Sequence, residues 1–305
     1  METDRRSLKK PSASDQADAA LNGPTGRTRV AGIIGWPVSH SLSPRLHSFW
    51  LRRYRIDGTY VPLPVDPERL EEAFAGLAAL GLVGANITIP HKEQAFTLVD
   101  SRSEVAARIG AVNTVIVTQS GGLHGTNTDA FGFIENLRAG APTWRSENGP
   151  AVILGAGGAA RAVAVALLDA GVSVIRLMNR DHRRAEALAT ALARDEIEVR
   201  PWAERDSAIA GAALVVNATS LGMHGCPELA LDLRRLPGNA VVNDIVYVPA
   251  LTALLAQAKA RGLVAVPGLG MLLHQARSAF QAWFDVDPEV DEDLRRYVAR
   301  ALADS

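Results

Sequence analysis

From Val30 onward, short runs of β-branched and aliphatic residues alternate with longer stretches in which apolar residues recur every three or four positions. Val30–Gly35, Thr59–Val65, Ala85–Ile89 and Val112–Thr118 read as strands. Pro44–Tyr54 and Pro67–Leu80 read as helices with proline near the start, where a missing N–H costs nothing, and Asp129–Ala139 reads as a third helix. Gly140–Gly149, rich in Gly, Pro, Asn and Ser, reads as a linker. A second series of strands follows at Ala151–Leu154, Val172–Met178, Glu196–Arg200, Leu214–Asn217, Ala240–Asn243 and Val264–Val266, with Ala-rich amphipathic helices between them. Strands apolar on both faces and separated by helices belong to a doubly wound parallel sheet. Helices near Met271–Trp283 and Pro288–Leu302 close the chain.

The expected fold is therefore α/β with two domains and a cleft between them. An N-terminal α/β domain covers 30–139 and is completed by the C-terminal helices, about 271–305. A Rossmann-type domain covers 140–270. Residues 1–29, rich in Ser, Asp, Lys, Arg, Pro and Gly without apolar periodicity, are expected to be a disordered tail. They lack the apolar core of a secretory signal, and their acidic residues argue against a transit peptide.

The chain has 305 residues and a net charge of -1, so no electrostatic pull toward nucleic acid or anionic membrane is expected. No apolar run is long enough to span a bilayer. Cys226 is the single cysteine, which fits a reducing compartment, and a cytoplasmic location is the expectation. The sequence shows no cluster with metal-ligand spacing.

The first chemical signal is Gly155-Ala156-Gly157-Gly158-Ala159-Ala160, which follows an apolar strand and opens an Ala-rich helix, Ala159 to Ala170. Gly155 permits a tight turn, Gly157 lets a pyrophosphate approach the backbone, and Ala160 allows close helix–strand packing. The helix N-terminus presents unpaired N–H groups to the phosphates. In NAD sites an acidic residue ends the second strand. Here that strand ends in Met178-Asn179-Arg180-Asp181, with Arg183 and Arg184 next. Guanidinium groups suit the 2′-phosphate of NADP, which an aspartate repels. Asp181 either weakens that preference or caps the next helix.

Four polar clusters stand at strand or loop ends in the first domain: Gly35 to Pro44, Asn86 to Lys92, Gly110 to Thr114, and Gly125 to Asp129. Ser41 and Ser43 flank a helix start, where hydroxyls and N–H groups hold a carboxylate or merely cap the helix. Taken singly, each cluster reads as turn and cap residues. Together they assemble a lysine, an aspartate, amides and hydroxyls beside a nicotinamide domain.

In these segments, joined by Asn217 to Met223, Tyr247 with Pro249, and Gly270 to Gln275, the chain resembles the shikimate dehydrogenase family from about Val30 to Phe284. The resemblance implies reversible NADPH-dependent reduction of 3-dehydroshikimate to shikimate, on the way to chorismate and the aromatic amino acids. It implies that Lys92 and Asp129 are the catalytic pair and also touch substrate. Ser41 and Ser43 bind the substrate carboxylate with Tyr247. Thr88, Asn113 and Gln275 bind ring hydroxyls, with Asn86 in support. For the cofactor it implies Gly155, Ala156, Gly157, Gly158, Ala159, Asn179, Arg180 and Arg184, with Thr219, Ile245 and Gly268 around the nicotinamide and Glu104 as a further contact. An ammonium at Lys92 stabilises the alkoxide that develops as a ketone is reduced and donates its proton. The partner is a small molecule, and the chain acts as a monomer or homodimer. Alternatives left open are an NAD-dependent quinate/shikimate dehydrogenase of catabolism, an enzyme of aminoshikimate-type substrates, and a noncatalytic sensor of shikimate or NADP.

Overall fold

The computed structural model describes residues 24–303. Most of the expected tail lies outside them. Its last residues are anchored rather than loose: the Thr25 hydroxyl donates to Asp57 Oδ2 at 2.7 Å, and Arg29 already pairs in a strand.

The first half runs β1 (Arg29–Gly35), α1 (Ser43–Arg53), β2 (Gly58–Pro64), α2 (Leu70–Ala79), β3 (Leu82–Ile87), α3 (Lys92–Leu98), β4 (Ser101–Arg102), α4 (Glu104–Ile109), β5 (Thr114–Val117), β6 (Leu123–Thr126) and α5 (Asp129–Gly140). Its six strands are ordered β2-β1-β3-β5-β6-β4. β1 pairs parallel with β2 and β3, β5 pairs antiparallel with β3 and β6, and β4 closes the edge parallel to β6. The second half runs β7 (Ala151–Leu154), α6 (Gly158–Asp169), β8 (Ile175–Met178), α7 (His182–Leu192), β9 (Ile197–Val199), α8 (Arg205–Ala208), β10 (Leu214–Asn217), β11 (Val241–Asp244), α9 (Ala253–Ala260) and β12 (Val264–Pro267). All its pairings are parallel, in the order β12-β11-β10-β7-β8-β9. The order reverses between β7 and β10, and such a switch point is where dinucleotides bind. Two further helices, α10 (Leu269–Phe284) and α11 (Glu292–Ala303), complete the described chain.

Those last helices return to the first sheet. One core joins Ile33, Trp50 and Tyr60 to Ala276, Phe280, Trp283 and Leu294. Another core joins Ile109, Phe133 and Leu137 to Ile153, Val163 and Val266, so α5 is wedged between the two halves. Asn136 on α5 also donates to the Pro267 carbonyl at 2.9 Å.

Several expected elements shift. The strand expected over Ala85–Ile89 is β3, which starts earlier and stops at Ile87. Pro90 carries no N–H for a ladder, and the Thr88 carbonyl is taken by the His91 N–H. The run Val112–Thr118 shrinks to β5, because Val112 and Asn113 bond outside the ladder, to Lys92 and Thr126. Pro67–Leu80 divides into a 3₁₀ turn, Pro67–Arg69, and α2. The expected linker Gly140–Gly149 starts inside α5 and holds a 3₁₀ turn, Ser146–Asn148. β4, β6, α3 and α4 are two to seven residues long, too short to carry a clear period.

Candidate active site

Lys92 is the first residue of α3 and Asp129 the first of α5. The turn before Lys92 is pinned by His91, whose buried ring meets the Val65 carbonyl through Nε2 at 2.9 Å. Lys92 Nζ donates to Asp129 Oδ2 at 2.5 Å, with side chains only 15% and 6% exposed. A pair so enclosed persists only when its remaining valences are met. Asp129 Oδ1 accepts from Asn113 Nδ2 at 2.8 Å, and the Asp129 N–H donates to Asn127 Oδ1 at 3.0 Å. Asn113 Nδ2 also lies 3.3 Å from Gln275 Oε1 on α10, and Asn113 Oδ1 accepts from the Thr128 N–H at 2.8 Å. One polar chain thus links α3, α5, the segment before β5, and α10.

A second layer stands beside it. Asn86 on β3 donates to the Asn113 carbonyl and to Thr114 Oγ1, and accepts from the Tyr60 hydroxyl at 2.7 Å. Ser43 is buried near that hydroxyl. Residue 42 precedes α1 without a side-chain cap, although Ser41 Oγ accepts from the Ser43 N–H at 3.3 Å, so capping alone does not use both serines. Thr88 is half-buried beyond the end of β3, its N–H bonded to Ile34. Under Tyr60 lies His47, fully buried and stacked ring on ring at 4.0 Å with 5° between planes. Neither ring nitrogen of His47 makes a well-formed hydrogen bond among the described residues, and burial, opposed only in part by the neighbouring Asn86 side chain, pushes its pKa down to about 3.

On the second sheet, Gly155 has φ +117°, and a Cβ there would stand 2.6 Å from the Ala218 carbonyl oxygen, so the turn after β7 requires glycine. Gly157 precedes α6 with no side-chain cap, and the space around its Cα is open. The uncapped N–H groups and open approach fit a pyrophosphate at this helix end. Ala156 is buried in the core, and Gly158 and Ala159 form the first turn of α6. A Cβ on Gly158 would lie 3.1 Å from Lys92 Cβ, so the lysine stem packs directly against the glycine turn. Asn179 Nδ2 donates to the Asp181 carbonyl at 2.8 Å. The Asp181 carboxylate accepts from the Arg183 N–H at 3.1 Å through Oδ1 and so caps α7. Arg180, Arg183 and Arg184 are exposed around it. Glu104 is exposed in the first turn of α4.

The far wall is set by Asp244, buried at the end of β11. Its Oδ1 accepts from Asn217 Nδ2 and the Val246 N–H, and its Oδ2 accepts from the Thr252 hydroxyl at 2.7 Å. Asn217 in turn accepts from the Thr219 hydroxyl at 2.7 Å. Ile245 follows Asp244, and its carbonyl would be 2.2 Å from a Cβ on Gly268. Half-buried Tyr247 packs against the first core, so the loop after β11 reaches across to the first sheet. Burial pushes the Tyr247 phenol up to about 12 and the Asp244 carboxyl up to about 6.

The two buried groups predict opposite pH effects. His47, with 6.5 as its ordinary value, stabilises the neutral fold above 6.5 and loses that stability as pH falls toward 3. Asp244, ordinarily 3.8, favours the fold below 3.8 and loses that contribution as pH rises through 6. Between 6 and 3.8 the slopes cancel. His47→Phe keeps the stack and removes one slope. Its stability relative to wild type should rise by about 1.4 kcal/mol per pH unit on acidification in that window. Urea unfolding at a series of pH values measures this; a pH-independent difference would contradict it.

Residues 33–115 match the shikimate dehydrogenase substrate binding domain, 142–224 match shikimate / quinate 5-dehydrogenase, and 268–295 match the shikimate 5'-dehydrogenase C-terminal domain. A Rhodospirillum rubrum protein named shikimate dehydrogenase (NADP(+)) is 59% identical over 277 residues, 90% of this chain and 98% of its own. The chain belongs to the shikimate dehydrogenase family. Within this family, the crystal structure of shikimate 5-dehydrogenase from Thermus thermophilus in complex with NADP(H) and shikimate has a TM-score of 0.78 at 37% identity, covering 90% of this chain and 100% of that one. Quinate dehydrogenase from Corynebacterium glutamicum in complex with NAD has a TM-score of 0.81 at 32% identity, covering 90% and 99%.

The geometry of this family member adds residues that sequence reasoning did not assign. Tyr60 fixes Asn86, Asn127 and Thr128 hold Asp129 and Asn113, and Arg161 and Glu93 meet where the halves touch. For Tyr60 the alternation along β2 was a usable signal, since it places residue 60 inward.

Proposed function

We propose that this chain is an NADP-dependent shikimate dehydrogenase, catalysing reversible reduction of 3-dehydroshikimate to shikimate in chorismate and aromatic amino-acid biosynthesis. The observation that carries the reading is the Lys92–Asp129 ion pair lying against Gly158 of the glycine turn. This brings a fixed cation to the edge of a nucleotide seat.

The bound cofactor supplies the hydride. Gly155, Ala156, Gly157, Gly158 and Ala159 would hold the pyrophosphate, with Asn179, Arg180 and Arg184 at the adenosine end and Thr219, Ile245 and Gly268 at the nicotinamide end. Arg180, Arg183 and Arg184 are exposed around the single Asp181 carboxylate, and this surplus of guanidinium charge favours a 2′-phosphate. Ser41, Ser43 and Tyr247 bind the substrate carboxylate. Thr88, Asn113 and Gln275 bind ring hydroxyls and fix the ketone. Lys92 donates a hydrogen bond to the ketone oxygen, stabilises the negative charge growing there and delivers its proton to it. Asp129 holds the ammonium in place and accepts a bond from a neighbouring hydroxyl. Preorganisation is the benefit of the polar chain through Asn113, since no side chain has to be recruited as charge develops.

Mixing the protein with shikimate and NADP should produce the absorbance of reduced nicotinamide. Faster reduction of NAD, or of either nucleotide with quinate, would favour the catabolic quinate/shikimate reading instead. Arg184→Ala should raise KM for NADP severalfold and leave KM for NAD nearly unchanged. The reading includes a cytoplasmic location, which the single cysteine fits, and action as a monomer or homodimer.

A further inference from the structure

α3 brings a second charged residue to the glycine turn. Glu93 follows Lys92, and its carboxylate faces two guanidinium groups of the second half: Oε2 lies 3.7 Å from Arg161 Nη2, and Oε1 lies 3.7 Å from Arg184 Nη2. Arg161 stands in the first turn of α6, is only 14% exposed, and has a buried Nε without a hydrogen-bond partner among the described residues. Arg184 is 58% exposed on α7. An internal anion therefore already sits between the helix that opens on the glycine turn and the arginine assigned to the 2′-phosphate.

We propose that Glu93 is a built-in competitor for the nucleotide 2′-phosphate, and so a residue that sets how strongly the protein prefers NADP over NAD. The inference rests on the NADP reading above. Glu93 meets Arg184 as an ion pair at 3.7 Å, and a phosphate seeking hydrogen bonds from the same guanidinium competes with that charge. A nucleotide with a 2′-phosphate must draw Arg184 away from Glu93, whereas NAD leaves that pair intact. Arg161, the less exposed of the two cations, keeps Glu93 near the site after Arg184 is released. Any effect of Glu93 on the pyrophosphate is common to both nucleotides and cancels when their affinities are compared.

The test measures Kd for NADP and for NAD by fluorescence titration of the full chain. Glu93→Gln should raise the ratio of Kd for NAD to Kd for NADP by about two- to fivefold, the range for an exposed ion pair. Glu93→Asp, whose shorter carboxylate reaches Arg184 less well, should move the ratio in the same direction. In an Arg184→Gln background, Glu93→Gln should leave the ratio unchanged. An unchanged or reduced ratio in both Glu93 variants, or an increase that persists without Arg184, overturns the proposal. Wild-type turnover separates the failures. If the wild type prefers NADP and only the variants disappoint, the inference alone falls; a wild type without that preference removes both.

Discussion

Lys92→Ala should lower kcat by about a thousandfold or more, within the range typical of losing a general acid together with an electrostatic partner for a developing oxyanion. KM for shikimate should change far less, because the ammonium matters most once negative charge has built up on the ketone oxygen. Carboxylate and ring-hydroxyl contacts assigned to Ser43, Asn113 and Gln275 remain in the variant. Asp129 is left without its cation, but Asn113 and the backbone contact through Asn127 still hold it. Steady-state kinetics alongside a thermal midpoint separates lost chemistry from lost fold. A folded variant with near-normal kcat would remove Lys92 from the reaction.

Gly84→Ala should destabilise the protein by about 3 kcal/mol or more. Gly84 has φ +156°, which L side chains rarely adopt, and a Cβ there would sit 2.1 Å from the Val115 carbonyl oxygen and 2.2 Å from Trp283 Nε1. Both atoms are committed, since Trp283 Nε1 donates to the Val115 carbonyl at 3.0 Å and so ties α10 to β5. Relief requires opening that bond or parting β3 from β5. Either displacement reaches the site, through Asn86 two residues along β3 and Gln275 two turns earlier on α10. Urea unfolding should therefore show a lower midpoint, and substrate KM should rise together with it. A loss within about half a kcal/mol, the ordinary range for a harmless surface change, would refute the packing argument.

How far the chain could be read without coordinates follows from the range of each interaction. The second sheet was legible almost strand by strand, because β7 is apolar throughout, β10 and β11 open on apolar residues before their polar ends, and the glycine turn has a local steric cause. The first sheet was only half legible. β4 is a two-residue strand with no period to detect, and α4 spans only six residues, although Ser103 caps its start and the left-handed Gly110 ends it. Within the site, residue types alone left turn and cap readings open for every cluster, and roles came from the family resemblance. The pairing of Lys92 with Asp129 spans 37 positions, and that of Asn113 with Gln275 spans 162. No local pattern encodes contacts of that separation. Glu93 escaped notice for the same reason: as a sequence feature it is an ordinary acidic residue in the first turn of a helix.

The return of α10 and α11 to the first sheet imposes an order on biosynthesis. A nascent chain that has emerged only as far as Pro267 holds every strand of both sheets, yet Trp50 and Tyr60 still lack Phe280, Trp283 and Leu294 as neighbours. The half translated first is thus the half sealed last. Until the final helices leave the ribosome, its aromatic face stays open to water and to other chains, the interval in which chaperones matter most.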